Sequence, residues 1–215
     1  MRPNMNKLIA RLKQPSLPII CILLLLLESP HMMAQGDYLI TANGDTVPGI
    51  VKSHKKDVLK FLKLDSRKAG KIKASDLLGF YSGSDGHFVP LVLPDAKKQQ
   101  FLKVVEKGRL SIYELNISGT YSNTFSRGPG QPMAFGTTSY NNITWFARKG
   151  DGPLVELKKN SWITLSRRKR RDAFTDLIQD NAAVAKRYDE VDKFTFDFIR
   201  QLVIEYNLKQ PTASH

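Results

Sequence analysis

The most constraining feature of this chain is the rhythm of its turn formers. Asn43-Gly44, the run Ser82-Gly83-Ser84-Asp85-Gly86, Lys107-Gly108 and Lys149-Gly150-Asp151-Gly152 each separate two short stretches rich in β-branched, aliphatic and aromatic residues. Glycine and asparagine accept backbone angles closed to other residues, so two such stretches about such a turn fold back as an antiparallel hairpin. The spacing predicts strands over 38–41, 46–52, 58–64, 77–81, 87–93, 100–105, 109–117, 143–148 and 154–158. Asn43-Gly44 predicts a two-residue type I′ turn. The alternation inside the strands is imperfect: Leu110, Ile112 and Glu114 share one face of 109–117, and Ser111, Tyr113 and Leu115 share the other.

Residues 118–141 break this pattern. They hold eight Ser and Thr, four Gly, two Pro and a single charge, Arg127, with no apolar period. The expectation is a long loop, which is uncommon inside a compact domain unless it serves a function. Its aromatic residues Tyr121, Phe125, Phe135 and Tyr140 are candidates for a loop surface that stacks on a sugar or a peptide, or for packing within the loop itself.

From residue 161 the period lengthens. Phe174, Leu177, Ile178, Val184 and Ala185 recur at helical spacing behind Ser166 as a candidate N-cap, with Asp180 or Asn181 breaking the segment in two. Thr195 can cap a last helix in which Ile199, Leu202, Val203 and Tyr206 stand at i, i+3, i+4 and i+7, and Asn207 can end it. Strands first and helices last predict an α+β fold. An antiparallel β-rich body over 35–160 is followed by a helical segment over 161–208. Two or three helices pack on the sheet, and 35–215 makes one domain.

The first 34 residues have the layout of a secretory signal. Arg2, Lys7, Arg11 and Lys13 precede the apolar run 19–27, and a polar stretch ends at Ala34. A nine-residue helix spans about 14 Å, short of the ~30 Å hydrocarbon core of a bilayer. The alternative is an uncleaved signal anchor. The one cysteine, Cys21, lies inside the apolar run rather than after it, which argues against lipidation. Residues 35–215 then carry no cysteine, which suits an oxidising compartment. The expected location is the periplasm, the periphery of the outer membrane or the extracellular space. No later stretch is long and apolar enough for a transmembrane segment.

Charge adds the second constraint. The chain has 33 Lys and Arg against 20 Asp and Glu, a formal charge of +13. Two stretches concentrate the excess: 52–73, with nine cations against Asp57 and Asp65, and the run 167–171, which is entirely basic. Lys55, Lys56, Lys60 and Lys63 in the first and Arg167, Arg168, Lys169, Arg170 and Arg171 in the second are candidate anion contacts. The competing reading is a lysine-studded edge strand in the first stretch. In the second it is a solvated first helical turn, or an extended linker ahead of the helix. Export argues against nucleic acid as the partner and leaves an envelope component, an anionic glycan or a lipid headgroup.

Catalytic signatures are sparse. His54 and His87 are the body's only histidines besides the terminal His215, and neither stands in an HxxxH or HExxH spacing. There is no GxSxG elbow, Walker loop or GxGxxG, so the sequence proposes no cofactor and no metal. The one local cluster that could serve a hydrolase is Asp85 and His87 beside the 82–86 turn.

Several short motifs carry a resemblance. Tyr38-Leu39-Ile40-Thr41 followed by Gly44-Asp45-Thr46-Val47-Pro48-Gly49 resembles the opening of small secreted, uncharacterised proteins of Bacteroidetes-type bacteria. Asp76-Leu77-Leu78-Gly79-Phe80, the hairpin around Phe101 and Tyr113, and the closing Ile204-Glu205-Tyr206-Asn207 are similar to further elements of that family, in the same order. The resemblance implies export and a β-rich body with C-terminal helices. It brings no activity and no catalytic residue. The resulting expectation is an exported, non-enzymatic binding or structural module of the cell envelope. The alternative is a hydrolase with a dispersed site near 82–87.

Overall fold

A computed structural model describes residues 36–125, 134–160, 167–191 and 193–208. The signal-like segment 1–34, the proline-glycine stretch around Arg127, the candidate cap Ser166 and the terminal residues 209–215 lie outside the described residues.

Among the described residues ten strands form one sheet in which every neighbouring pair is antiparallel. In chain order they are β1 (Tyr38–Thr41), β2 (Thr46–Lys55), β3 (Val58–Lys63), β4 (Gly70–Lys73) and β5 (Leu77–Ser82). They continue with β6 (Gly86–Val92), β7 (Gln99–Glu106), β8 (Leu110–Phe125), β9 (Ala134–Lys149) and β10 (Val155–Lys159). The order across the sheet is β10-β9-β8-β7-β6-β5-β1-β2-β3-β4. A 3-10 turn, Ala74–Asp76, leads into β5. The helices α1 (Arg167–Ile178), α2 (Ala182–Glu190) and α3 (Phe196–Leu208) follow. The α+β class expected from the change of period is the class observed.

The sheet curls at its β1–β5 end. Leu39, Leu59, Phe61, Phe80, Phe88 and Phe101, drawn from five strands, meet in one buried cluster. The Lys56 carbonyl accepts a hydrogen bond from the Phe101 N–H at 2.7 Å, so the β2–β3 turn folds back onto β7. A second cluster forms where helices cover the other half of the same sheet. Leu110, Ile112, Trp145 and Ala147 face Phe174, Ile178, Val184, Tyr188, Ile199, Leu202, Val203 and Tyr206, all buried. Burying each aliphatic or aromatic side chain of this kind contributes about 1.5–3 kcal/mol, which is why helices too short to stand alone are held here. The apolar face of α3 is thus occupied within the chain and is not offered to a partner.

Caps set the helix boundaries. The Asn181 side chain accepts from the Val184 N–H at 3.3 Å and starts α2, and the Thr195 hydroxyl accepts from the Phe198 N–H at 3.2 Å and starts α3.

Three features differ from expectation. The Asn43-Gly44 hairpin is not a type I′ turn. Gly44 has φ 90°, but no residue other than glycine has positive φ among the described residues. The Thr41 N–H donates to the Asp45 carbonyl and the Gly44 N–H to the Thr41 carbonyl, the pattern of a three-residue loop with glycine in the left-handed position. A strand also forms over Gly70–Lys73, although Ile72 is its only large apolar residue. The expected loop over 118–141 is instead a hairpin wherever it is described. β8 and β9 pair without a break from Leu110 opposite Lys149 to Phe125 opposite Ala134. Its Thr, Tyr and Ser residues suit a strand wet on both faces, where backbone pairing rather than an apolar side drives the structure.

Candidate functional site

The structure sorts the basic candidates by register. In β3, Leu59 and Phe61 are buried, so Val58, Lys60 and Leu62 point the other way. Lys60 stands opposite Ser53 on β2 and opposite Lys71 on β4, while Val58 stands opposite Lys55 and Lys73. Directly opposed residues share a side. Lys55, Lys60, Lys71 and Lys73 therefore rise from two adjacent rungs of one outward face, and all four are exposed. Directly opposed side chains have Cβ atoms about 5 Å apart, and like charges there destabilise the sheet. None of the nine cations in 52–73 forms an ion pair among the described residues.

Of the sequence candidates, Lys55 and Lys60 belong to this face. Lys56 lies in the β2–β3 turn, and Lys63 has the opposite parity at the end of β3. Lys71 and Lys73, which no local pattern marks out among the nine cations, complete the group. Only the pairing of β3 with β4 brings them there.

The run 167–171 is the start of α1, which removes the extended-linker reading. Arg167, Arg168 and Lys169 are exposed, but Arg170 is only 8% exposed and Arg171 lies 5.7 Å over the Tyr188 ring. Helical period turns Arg170 to the side of Phe174, so Arg170 is packed and Arg171 is half-buried against Tyr188, while Arg167, Arg168 and Lys169 remain exposed. α1 packs on β10, at the opposite end of the strand order from β4.

The aromatic candidates fall in paired strands rather than in a loop. Tyr121 and Tyr140 are 48% and 40% exposed with ring centres 6.3 Å apart, a small wet aromatic pair on the long hairpin. The side chains of Phe125 and Phe135 lie outside what is described.

The histidines are separated by the sheet. His54 packs on Phe88 and Phe80, with ring centres at 4.4 and 5.4 Å. Burial pushes its pKa below the ordinary value, against the opposing charge of Asp85. His87 shares a 3.2 Å hydrogen bond with the Tyr38 hydroxyl, and burial, followed by the charge of Lys107, lowers its pKa. Asp85 accepts from the Ser84 hydroxyl at 3.0 Å, and the Gly83 N–H donates to Asp37 at 2.8 Å. The 82–86 segment is thereby tied down as a turn, and no serine–histidine–carboxylate array forms around His87 among the described residues. Nor do the described residues contain a group of three or more His, Cys, Asp or Glu placed to hold a metal ion. No described helix is long and apolar enough to cross a membrane.

Comparison with protein-family models, with curated proteins and with solved structures found no match to this chain.

Proposed function

We propose that this protein is an exported, non-enzymatic binding module of the cell envelope that contacts closely spaced anionic groups, on a glycan or on lipid headgroups, through the outward face of β2–β4. The observation that carries the reading is the placement of Lys60. Lysine on an edge strand discourages sheet-to-sheet aggregation, which accounts for Lys71 and Lys73 on β4. Lys60 lies on β3, paired on both sides, where edge protection has no role. A lysine held opposite another lysine, with no carboxylate in ion-pair distance among the described residues, costs stability that an external anion recovers. The reading of export rests on the basic and apolar pattern of residues 1–34, and the resemblance to small secreted proteins agrees with it.

The test is salt elution of the protein from heparin and cosedimentation with vesicles containing phosphatidylglycerol or only phosphatidylcholine. Lys60→Ser combined with Lys71→Ser should lower the eluting salt concentration and the bound fraction on anionic vesicles. Arg167→Ser with Arg168→Ser should do so far less. Unchanged elution of the lysine variant refutes the assignment of this face.

A further inference from the structure

The helices cover one face of the β7–β9 region and leave the other face without a helix over its centre. Leu102, Tyr113 and Phe146 are buried together on that second face, and Val89, Leu91 and Val104 stand half-buried around them. The register explains the grouping, since Val89 pairs with Leu102, Val104 with Tyr113, and Tyr113 with Phe146. A groove of about 800 Å³ runs over Val89, Leu91, Val104 and Tyr113. Small-molecule sites have this size and this apolar lining with a few polar groups.

Two cations, Arg148 and Lys107, stand on the lining beside His87, the neutral polar groups of Gln99 and Ser111, and Asp151. Arg148 lies 5.6 Å over the Tyr113 ring and donates to its hydroxyl at 3.3 Å, and Lys107 is exposed on the same lining. Arg109, Arg187 and Arg200 each hold a carboxylate within ion-pair distance: Asp180, Glu205 and Glu106. Arg148 has none among the described residues, and its Nε–H is buried without an acceptor. Asp151, the one carboxylate on the lining, makes no ion pair with it. A guanidinium fixed on an aromatic ring at the end of an apolar floor, with no internal counter-ion, is complementary to a planar anion joined to an apolar body.

We propose that this groove binds a long-chain monocarboxylate of the fatty-acid class, its chain over Val89, Leu91 and Val104 and its carboxylate on the Arg148 guanidinium. The site lies apart from the lysines of β2–β4 and does not depend on their role.

Fluorescence titration of the full-length chain with cis-parinaric acid tests it, with the methyl ester of the same acid as the uncharged comparison. Saturable binding of the acid is expected, weakened about tenfold or more by Arg148→Met and for the methyl ester, as loss of a charge-assisted hydrogen bond requires. Val104→Glu should abolish it. Binding that survives both substitutions overturns the proposal, since neither touches the apolar segment 19–27. Equal affinity for acid and ester also overturns it, and that comparison uses the unsubstituted protein, so it decides even if a variant fails to fold.

Discussion

Asn207, near the end of α3, and Leu110, at the start of β8, exchange two hydrogen bonds across 97 residues of chain. The Leu110 N–H donates to Asn207 Oδ1 at 3.0 Å, and Asn207 Nδ2 donates to the Leu110 carbonyl at 2.9 Å. The side-chain amide thus does for Leu110 what a neighbouring strand would do, at a point beyond the reach of the β7 ladder. Gly108 lies so close that a Cβ there would overlap the Asn207 amide.

Asn207→Ala leaves a part-buried donor and acceptor on Leu110 unsatisfied. It should destabilise the protein by about 2 kcal/mol, read as a lower urea midpoint at constant slope. Gly108→Ala should cost a similar amount by pushing the amide away. The double variant should be little worse than either single one, because both remove the same pair of bonds. Additive losses would show that the two residues act separately.

Lys60→Glu turns a repulsive cross-strand pair with Lys71 into an attractive one. Stability should rise by about 0.2–1 kcal/mol at low salt, while retention on heparin falls. A variant that loses stability and retention together would point to a structural role for Lys60.

Asp180, in the α1–α2 connection, links α3 to the ends of the sheet. Its carboxylate accepts from the Tyr206 hydroxyl at 2.9 Å and from Lys149 at 2.8 Å, with Arg109 at 3.4 Å. Burial pushes its pKa up, but the Lys149 and Tyr206 hydrogen bonds and the charges of Lys149 and Arg109 together hold it below the ordinary carboxylate value of 3.8. A carboxylate depressed by folding adds stability that is present above the unfolded pKa and lost as pH falls through the folded one. Asp180→Asn should therefore flatten the stability profile below about pH 4. At pH 7 it should cost less than about 1 kcal/mol, since the group is half-exposed and screened by salt.

His54 and His87 behave in the opposite range. Both are held below the ordinary histidine pKa of 6.5, chiefly by burial. The unfolded chain therefore takes up protons first, and stability is complete above about pH 6.5 and declines as pH falls below it. His54→Gln and His87→Gln should each remove part of the slope between about pH 7 and pH 5, measured as the shift in urea midpoint. An unchanged slope in the double variant would place the titration elsewhere.

The sequence alone was enough for whatever depends on near neighbours. The hairpin positions, the β-then-α order, the break at Asp180 or Asn181, the Thr195 cap and the apolar face of Ile199, Leu202, Val203 and Tyr206 all rest on residues a few positions apart. Backbone geometry repeats over that distance, so the pattern is written locally. The aromatic-spotted stretch 118–141 shows no strand period because the described side chains of its strands bury no face. Their pairing is visible only when both partners are in place.

Tertiary structure decided the rest. No local rule sets Lys60 against Lys71, leaves Arg148 with no carboxylate in ion-pair distance among the described residues, or brings Asn207 to Leu110. The first two depend on which strand pairs with which and in what register, and a shift of one residue would reverse those faces. The third depends on where α3 docks on the sheet. Composition and local pattern therefore determined what kinds of element this chain makes and how much charge it carries, and the long-range pairing of strands determined where that charge can act.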